Sequence, residues 1–225
     1  MKKKQPVKQQ QAPEPEFQVK LLKPRNLSQR LAINSIRDED VTILKGPAGT
    51  GKTYIAAAMS LDLLLSGQIE KIILTRPYVS AGEKMGFLPG DMDEKWAPYL
   101  EPYEDCFIER VGYQRMGKMF KTGQILVKPL NFLQGKTFNH CVILADEIEN
   151  AKEEQIKLIL TRMGSGCRAI LMGDTDQTYI HNSGFPRALE VLKNVPKLNI
   201  VSFSIEEVVR SEMCKNVLKA YAVAK

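Results

Sequence analysis

Eight consecutive residues, Gly46, Pro47, Ala48, Gly49, Thr50, Gly51, Lys52 and Thr53, have the types and spacing GxxxxGK[ST]. Glycines at these intervals let a backbone curl so that successive N–H groups point inward at phosphate oxygens. Lys52 is placed to reach β- and γ-phosphates, and the Thr53 hydroxyl to ligate Mg²⁺. The run is therefore a candidate cradle for ATP, provided that a strand enters it and a helix leaves it, because the helix N-terminus adds partial positive charge.

A second constellation follows about a hundred residues later. The apolar run Cys141–Ala145 ends in Asp146-Glu147. An aspartate there can hold the magnesium shell across from Thr53, and the adjacent glutamate can orient and deprotonate a water. Transfer to a small molecule does not need that second carboxylate in this role, whereas hydrolysis does. A third run, Arg168–Met172, leads into Gly173-Asp174-Thr-Asp-Gln177, which places the Gln177 amide where it could distinguish ATP from ADP. Arg162 and Arg210 are candidate arginine fingers, since charge developing on a γ-phosphate calls for a cation beyond Lys52. Arg76, in Thr75-Arg76-Pro77, could meet either nucleic-acid phosphates or the ATP site. Gln29 carries an amide able to pair with the donor and acceptor edges of adenine.

The elements that must position these groups alternate along the chain. Helical spacing is expected over Asn26–Ile36, Lys52–Leu65, Glu153–Met163 and Glu206–Ala222. Short apolar runs predict strands at Val41–Lys45, Lys71–Thr75, Gln124–Pro129, Cys141–Ala145, Arg168–Met172 and Leu198–Phe203. Residues 77–103, with Pro77, Pro89, Pro98 and Pro102, read as a long loop with short helical pieces. Its Trp96, Tyr99 and Tyr103 are open to three roles: stacking on bases, packing between subunits, or forming a satellite core. Strands alternating with helices predict an α/β fold, a mostly parallel sheet covered by helices on both faces. Ligands of such sheets bind at the carboxyl ends of the strands, where every polar motif above falls.

Composition excludes several classes. With 225 residues and 44% apolar content, the chain is sized for one domain, expected over 23–225, preceded by a Lys-, Gln- and Pro-rich arm at 1–22 expected to be disordered. Residues 1–25 hold seven Lys/Arg and two Glu, so most of the +6 formal charge lies there and the remainder is nearly neutral. The arm is open to two readings, a phosphate-contacting tail or a solubilising one. No apolar run is long enough to span a bilayer, and no apolar core follows the basic start, so the cytoplasm is the expected compartment. Cys106, Cys141, Cys167 and Cys214 never form CxxC, which argues against structural zinc or a disulfide framework and for buried thiols.

Taken together, these residues resemble the PhoH-like family, whose members are P-loop ATPases similar to the first motor domain of superfamily 1 helicases. The resemblance covers residues 26–222. It rests on Gln29, Gly46–Thr53, Thr75-Arg76-Pro77, the stretch 81–91 (AGEKMGFLPGD), Lys95–Tyr103, Asp146-Glu147, Leu160-Thr-Arg162, Gly173-Asp174 with Gln177, Ser183-Gly184 and Val208-Val-Arg210. The 81–91 stretch is the most family-specific part, because generic P-loop enzymes lack it. Two departures stand out. Ile148-Glu149-Asn150 occupies the place of the family's Ala-Gln-Asn, and Ser211 that of a histidine. The resemblance implies ATP hydrolysis with Mg²⁺, a proposed RNA-helicase activity on RNA or another single-stranded nucleic acid, and a hexameric ring. With room for one motor domain, a completing arginine is expected from a neighbouring subunit. Two rivals remain at this point: a small-molecule or nucleoside kinase on the same scaffold, and a nucleotide-dependent regulatory protein that does not hydrolyse.

Overall fold

Alternate side chains of short apolar strands feed two separate cores. The computed structural model describes residues 21–77 and 92–223, without the side chains of 92–98. Six strands, β1 (Val41–Lys45), β2 (Lys71–Thr75), β3 (Ile125–Val127), β4 (Cys141–Ala145), β5 (Arg168–Gly173) and β6 (Leu198–Ser202), form one sheet in the order β3-β2-β4-β5-β1-β6. Every pairing is parallel. Leu44, Ile72, Leu74, Val142, Leu144, Ile170 and Met172 point to one face; Ile43, Ile73, Ile143, Ala145, Ala169 and Leu171 point to the other. That period of two, with both sets buried, makes a sheet covered on both sides.

The first face is covered by α1 (Leu27–Asp38), α2 (Lys52–Leu65), α3 (Met92–Val111) and α4 (Tyr113–Lys121). The second is covered by α5 (Glu153–Thr161) and α6 (Phe185–Leu192) together with Leu130, Leu133 and Phe138. Nine of the fourteen α2 residues are buried, so this helix is the centre of the first core. The terminal helix α7 (Glu212–Val223) buries none of its residues. No helix among the described residues is long and apolar enough to cross a membrane.

Several boundaries differ from expectation for identifiable reasons. The first helix starts at Leu27 because the Asn26 side chain accepts the Gln29 N–H at 2.8 Å as an N-cap. The described part of 77–103, expected to be mostly loop, is instead the front of the 20-residue helix α3. Pro98 and Pro102 argue against a helix interior. Tertiary packing overrides them: Tyr103, Cys106, Phe107, Arg110 and Val111 repeat at helical spacing and are at most 4% exposed. The last helix starts at Glu212 rather than Glu206, because Ser204 and Glu207 close a reciprocal capping box around a one-turn 3-10 helix. The chain then runs past the phosphate loop before α7. Helices α4 and α6 were not expected at all. The arm read at 1–22, apart from Leu21 and Leu22, the 81–91 stretch and the Trp96 side chain lie outside the described residues.

Candidate nucleotide-binding site

The loop Gly46–Gly51 connects β1 to α2 at the carboxyl edge of the sheet, and α2 opens at Lys52 with Gly51 left-handed at its N-cap (φ 88°). Gly46 sits at φ 141°, and a Cβ there would lie 2.5 Å from the Phe203 carbonyl oxygen. A Cβ on Gly49 (φ 81°) would lie 3.0 Å from the Arg210 Cβ, because the 208–210 segment crosses the loop and the Val209 N–H donates to the Gly49 carbonyl at 2.9 Å. Conformation favours glycine at both positions, and at Gly46 space requires it as well. The Thr50 hydroxyl donates to the Pro47 carbonyl at 2.9 Å, stiffening the turn.

Lys52 folds back over this loop, its Nζ donating to the Gly46 and Pro47 carbonyls at 2.6 and 2.9 Å. Burial holds its ammonium below the usual lysine value, opposed by the carboxylates of Asp174, Asp146 and Glu149. Strand β4 delivers Asp146 directly opposite. The Thr53 hydroxyl donates to Asp146 Oδ2 at 3.2 Å, the Tyr103 hydroxyl donates to the same oxygen at 3.0 Å, and the Glu147 N–H donates to Oδ1 at 3.0 Å. Burial, reinforced by the Asp146 charge, pushes the Tyr103 hydroxyl well above its ordinary value, so it stays a donor at neutral pH.

Glu147 occupies the left-handed region (φ 53°), a conformation that costs a non-glycine residue about 1 kcal/mol or more and that concentrates at functional sites. Its carboxylate pairs with the Arg76 guanidinium, and the Arg76 Cζ lies 3.8 Å from the centre of the Tyr99 ring. Burial raises the Glu147 carboxyl; Arg76 pulls it back. Glu149, 6% exposed, accepts the Asp174 N–H at 3.1 Å through Oε2, and burial pushes its carboxyl up to about 7. The departure from the family pattern thus fastens the turn after β5 to the turn after β4.

One cavity of about 510 Å³ is lined by Ala48, Gly49, Gly51, Lys52, Thr53, Asp146, Glu147, Glu149, Gly173, Asp174, Gln177, Tyr179 and Arg210. The structure therefore brings Lys52, Thr53, Asp146, Glu147, Gln177 and Arg210 together. It does not bring Arg162 there. That residue caps the end of α5, and its carbonyl accepts the N–H of Phe138, which lies before the start of β4, at the opposite edge of the sheet. Gln29 lies on the other side of the loop, its amide donating to the Thr50 carbonyl at 3.0 Å and accepting the Arg25 N–H at 2.8 Å. It faces a second cavity of about 710 Å³ walled by Leu22, Pro24, Gly51, Tyr54 and Val209 among others.

The sequence leaves the roles of Tyr99 and Tyr103 open and does not show their contacts with Arg76 and Asp146. The i, i+4 spacing of Tyr99, Tyr103, Phe107 and Val111 could have shown that they share a helix face, but nothing in the sequence points to their polar partners. Of the cysteines, Cys106, Cys141 and Cys167 are buried and Cys214 is half-buried.

Comparison with known proteins agrees with this geometry. The family model described as PhoH-like protein matches residues 21–222. A PhoH-like protein of Synechocystis is 37% identical over 204 residues, 89% of this chain and 62% of its own length. One from Bacillus subtilis is 36% identical, covering 90% and 64%, and protein PhoH of Escherichia coli is 36% identical, covering 88% and 57%. The chain thus spans less than two thirds of these relatives. Among solved structures, the large terminase of a thermophilic bacteriophage superposes with a TM-score of 0.58 at 13% identity, over 86% of this chain and 48% of that one. Another crystal of that terminase, in complex with ADP, gives 0.54 at 11% identity over 85% and 48%. At these identities the likeness is one of fold, that of a P-loop NTPase. With its phosphate loop, acidic pair and parallel sheet in place, the chain belongs to the PhoH-like protein family.

Proposed function

We propose that this protein binds ATP with Mg²⁺ and hydrolyses it, and that hydrolysis is coupled to a single-stranded nucleic acid, RNA first among them. The observation that carries the catalytic half is the meeting of Thr53 with Asp146 Oδ2, beside Glu147, at the mouth of a cavity that also holds Lys52. Backbone N–H groups of the loop and the N-terminus of α2 would take the β- and γ-phosphates. Lys52 would exchange its two loop carbonyls for phosphate oxygens. The adenine would lie in the adjoining cavity of about 710 Å³, against Gln29 and Tyr54.

Thr53 and Asp146 offer a hard, oxygen-only donor pair suited to Mg²⁺, which keeps several waters and takes few protein ligands. Bound there, the ion would neutralise charge on the β- and γ-phosphates. Glu147 would orient a water and accept its proton. Gln177 and Arg210 line the same cavity as Lys52 and Glu147, which supports reading Arg210 as acting in its own subunit's site. Arg162, at the far edge, acts as a finger only on a neighbouring copy, which fits the proposed ring assembly. Coupling to RNA and the hexamer rest on the resemblance.

Phosphate release from ATP with Mg²⁺, with and without a single-stranded RNA oligonucleotide, tests the reading. Turnover that rises with RNA is expected. Turnover indifferent to RNA would remove the polymer and keep the ATPase. No turnover in either condition would overturn the proposal.

A further inference from the structure

The acidic pair is half-buried and is engaged from one side by β2 and α3. Strands β2 and β4 are neighbours in register, Thr75 opposite Ala145, and the Asp146 N–H donates to the Thr75 carbonyl at 3.1 Å. Arg76 therefore emerges beside Glu147 by construction, and its guanidinium closes on Glu147 Oε2. The Tyr99 ring covers that guanidinium, a cation–π contact that strengthens as water is excluded. One helical turn further along α3, Tyr103 donates to Asp146. Residues four apart share a helix face, so a single face of α3 bears on both acidic side chains, one through Arg76 and one directly.

A glutamate that accepts a proton from water needs a free lone pair aimed at that water. An oxygen engaged by a guanidinium is a poorer base and is drawn toward the cation. In the structure, Oε2, one of the two Glu147 carboxylate oxygens, is committed to Arg76. The far half of α3 is fastened to α2 by the Arg110–Asp62 ion pair at 2.6 Å and by the Tyr54 hydroxyl donating to Glu109 at 2.9 Å. Helix α2 begins with Lys52 and Thr53. The same helix pair therefore links the phosphate loop to the restraint on the base.

We propose that Arg76, held by Tyr99, is a positioning residue that withdraws Glu147 from the attacking water in the resting protein, so that a shift of the Tyr99–Tyr103 turn of α3 releases the base. This rests on the reading of Glu147 as the base for ATP hydrolysis. Releasing the restraint raises the rate of the chemical step and leaves ground-state binding of ATP alone.

Basal phosphate release without RNA is measured for wild type, Arg76→Ala, Arg76→Lys, Tyr99→Leu and Glu147→Gln. Arg76→Ala is expected to raise kcat about three- to tenfold, with the KM for ATP within about twofold. Tyr99→Leu, which keeps Arg76 but bares it, changes kcat the same way by less, and Arg76→Lys restores a low basal rate. A merely structural role would lower kcat in Arg76→Ala and Tyr99→Leu alike, and that result overturns the proposal, as does an unchanged kcat. If wild type turns over and Glu147→Gln does not, such a failure falls on the restraint alone. If neither wild type nor Arg76→Ala turns over, the ATPase reading fails and the restraint with it.

Discussion

Glu149 carries a charge where the family has a neutral amide, and its burial makes the consequence measurable. Its carboxyl is raised to about 7 from an ordinary 4.5, first by burial, with the charges of Glu147 and Asp146 adding and the N–H groups of Glu149 and Asp174 opposing. A raised carboxyl means that the folded protein keeps a proton that the unfolded chain has released. Its stabilising influence is complete below about 4.5, fades as pH rises, and is gone above about 7. The difference, about 2.5 in pKa at about 1.4 kcal/mol each, gives roughly 3 kcal/mol between those limits. Glu149→Gln keeps an oxygen for the Asp174 N–H and removes the titrating group. In metal- and nucleotide-free protein, the variant should match wild type at pH 5 and exceed it by about 2–3 kcal/mol at pH 8, or about 5–10 °C in Tm. Urea unfolding of both proteins at the two pH values measures this directly, and groups not coupled to Glu149 cancel in the difference. A variant less stable than wild type by the same amount at both pH values would refute the reasoning, because it would mean that the carboxylate is paired rather than merely buried.

Other perturbations follow from the same geometry. Gly46→Ala drives a Cβ to 2.5 Å from the Phe203 carbonyl, so thermal melts should show a loss of about 2 kcal/mol or more together with weakened nucleotide binding. Asp62→Ala strands Arg110, which is 2% exposed, and should cost about 3 kcal/mol in urea unfolding. Replacing both partners, with Asp62→Leu and Arg110→Met, should recover most of that loss. Gln29→Ala should raise the KM for ATP about tenfold and narrow the preference for ATP over GTP; steady-state kinetics with both nucleotides would show unchanged selectivity if Gln29 only braces Thr50. If Arg162 completes a neighbour's site, mixed assemblies of Lys52→Ala and Arg162→Ala subunits should regain activity that neither has alone, and verified mixed assemblies that stay inactive count against it.

The parts of this protein that were legible from its sequence are those governed by local rules. Val41–Lys45, Lys52–Leu65, Lys71–Thr75 and Cys141–Ala145 have the expected boundaries, because strand runs buried on both faces and a glycine-started helix declare themselves in a few residues. The order of the phosphate loop and acidic pair, each directly after a strand, foretold where they would converge. Helix α3 was hidden because Pro98 and Pro102 signal a break, while the contacts of Phe107 and Val111 with the first core are long-range and leave no local mark. For the same reason Tyr103 could not be matched to Asp146, 43 residues away. Arg162 and Arg210 were equivalent as sequence; the crossing of 208–210 over Gly49 and the bond of Arg162 to Phe138 before β4 separate them. Glu149 was visible as a departure, but its bond to Asp174 needed the sheet.

The proposed ATPase depends on Glu147, held beside Asp146 at the phosphate loop, acting as the base for hydrolysis. Single-turnover hydrolysis and ATP affinity, measured together for wild type and Glu147→Gln with Mg²⁺, test it most directly. ATP affinity is expected within about threefold of wild type, and hydrolysis slowed by about a hundredfold or more. Hydrolysis by the variant at a rate near wild type would contradict it.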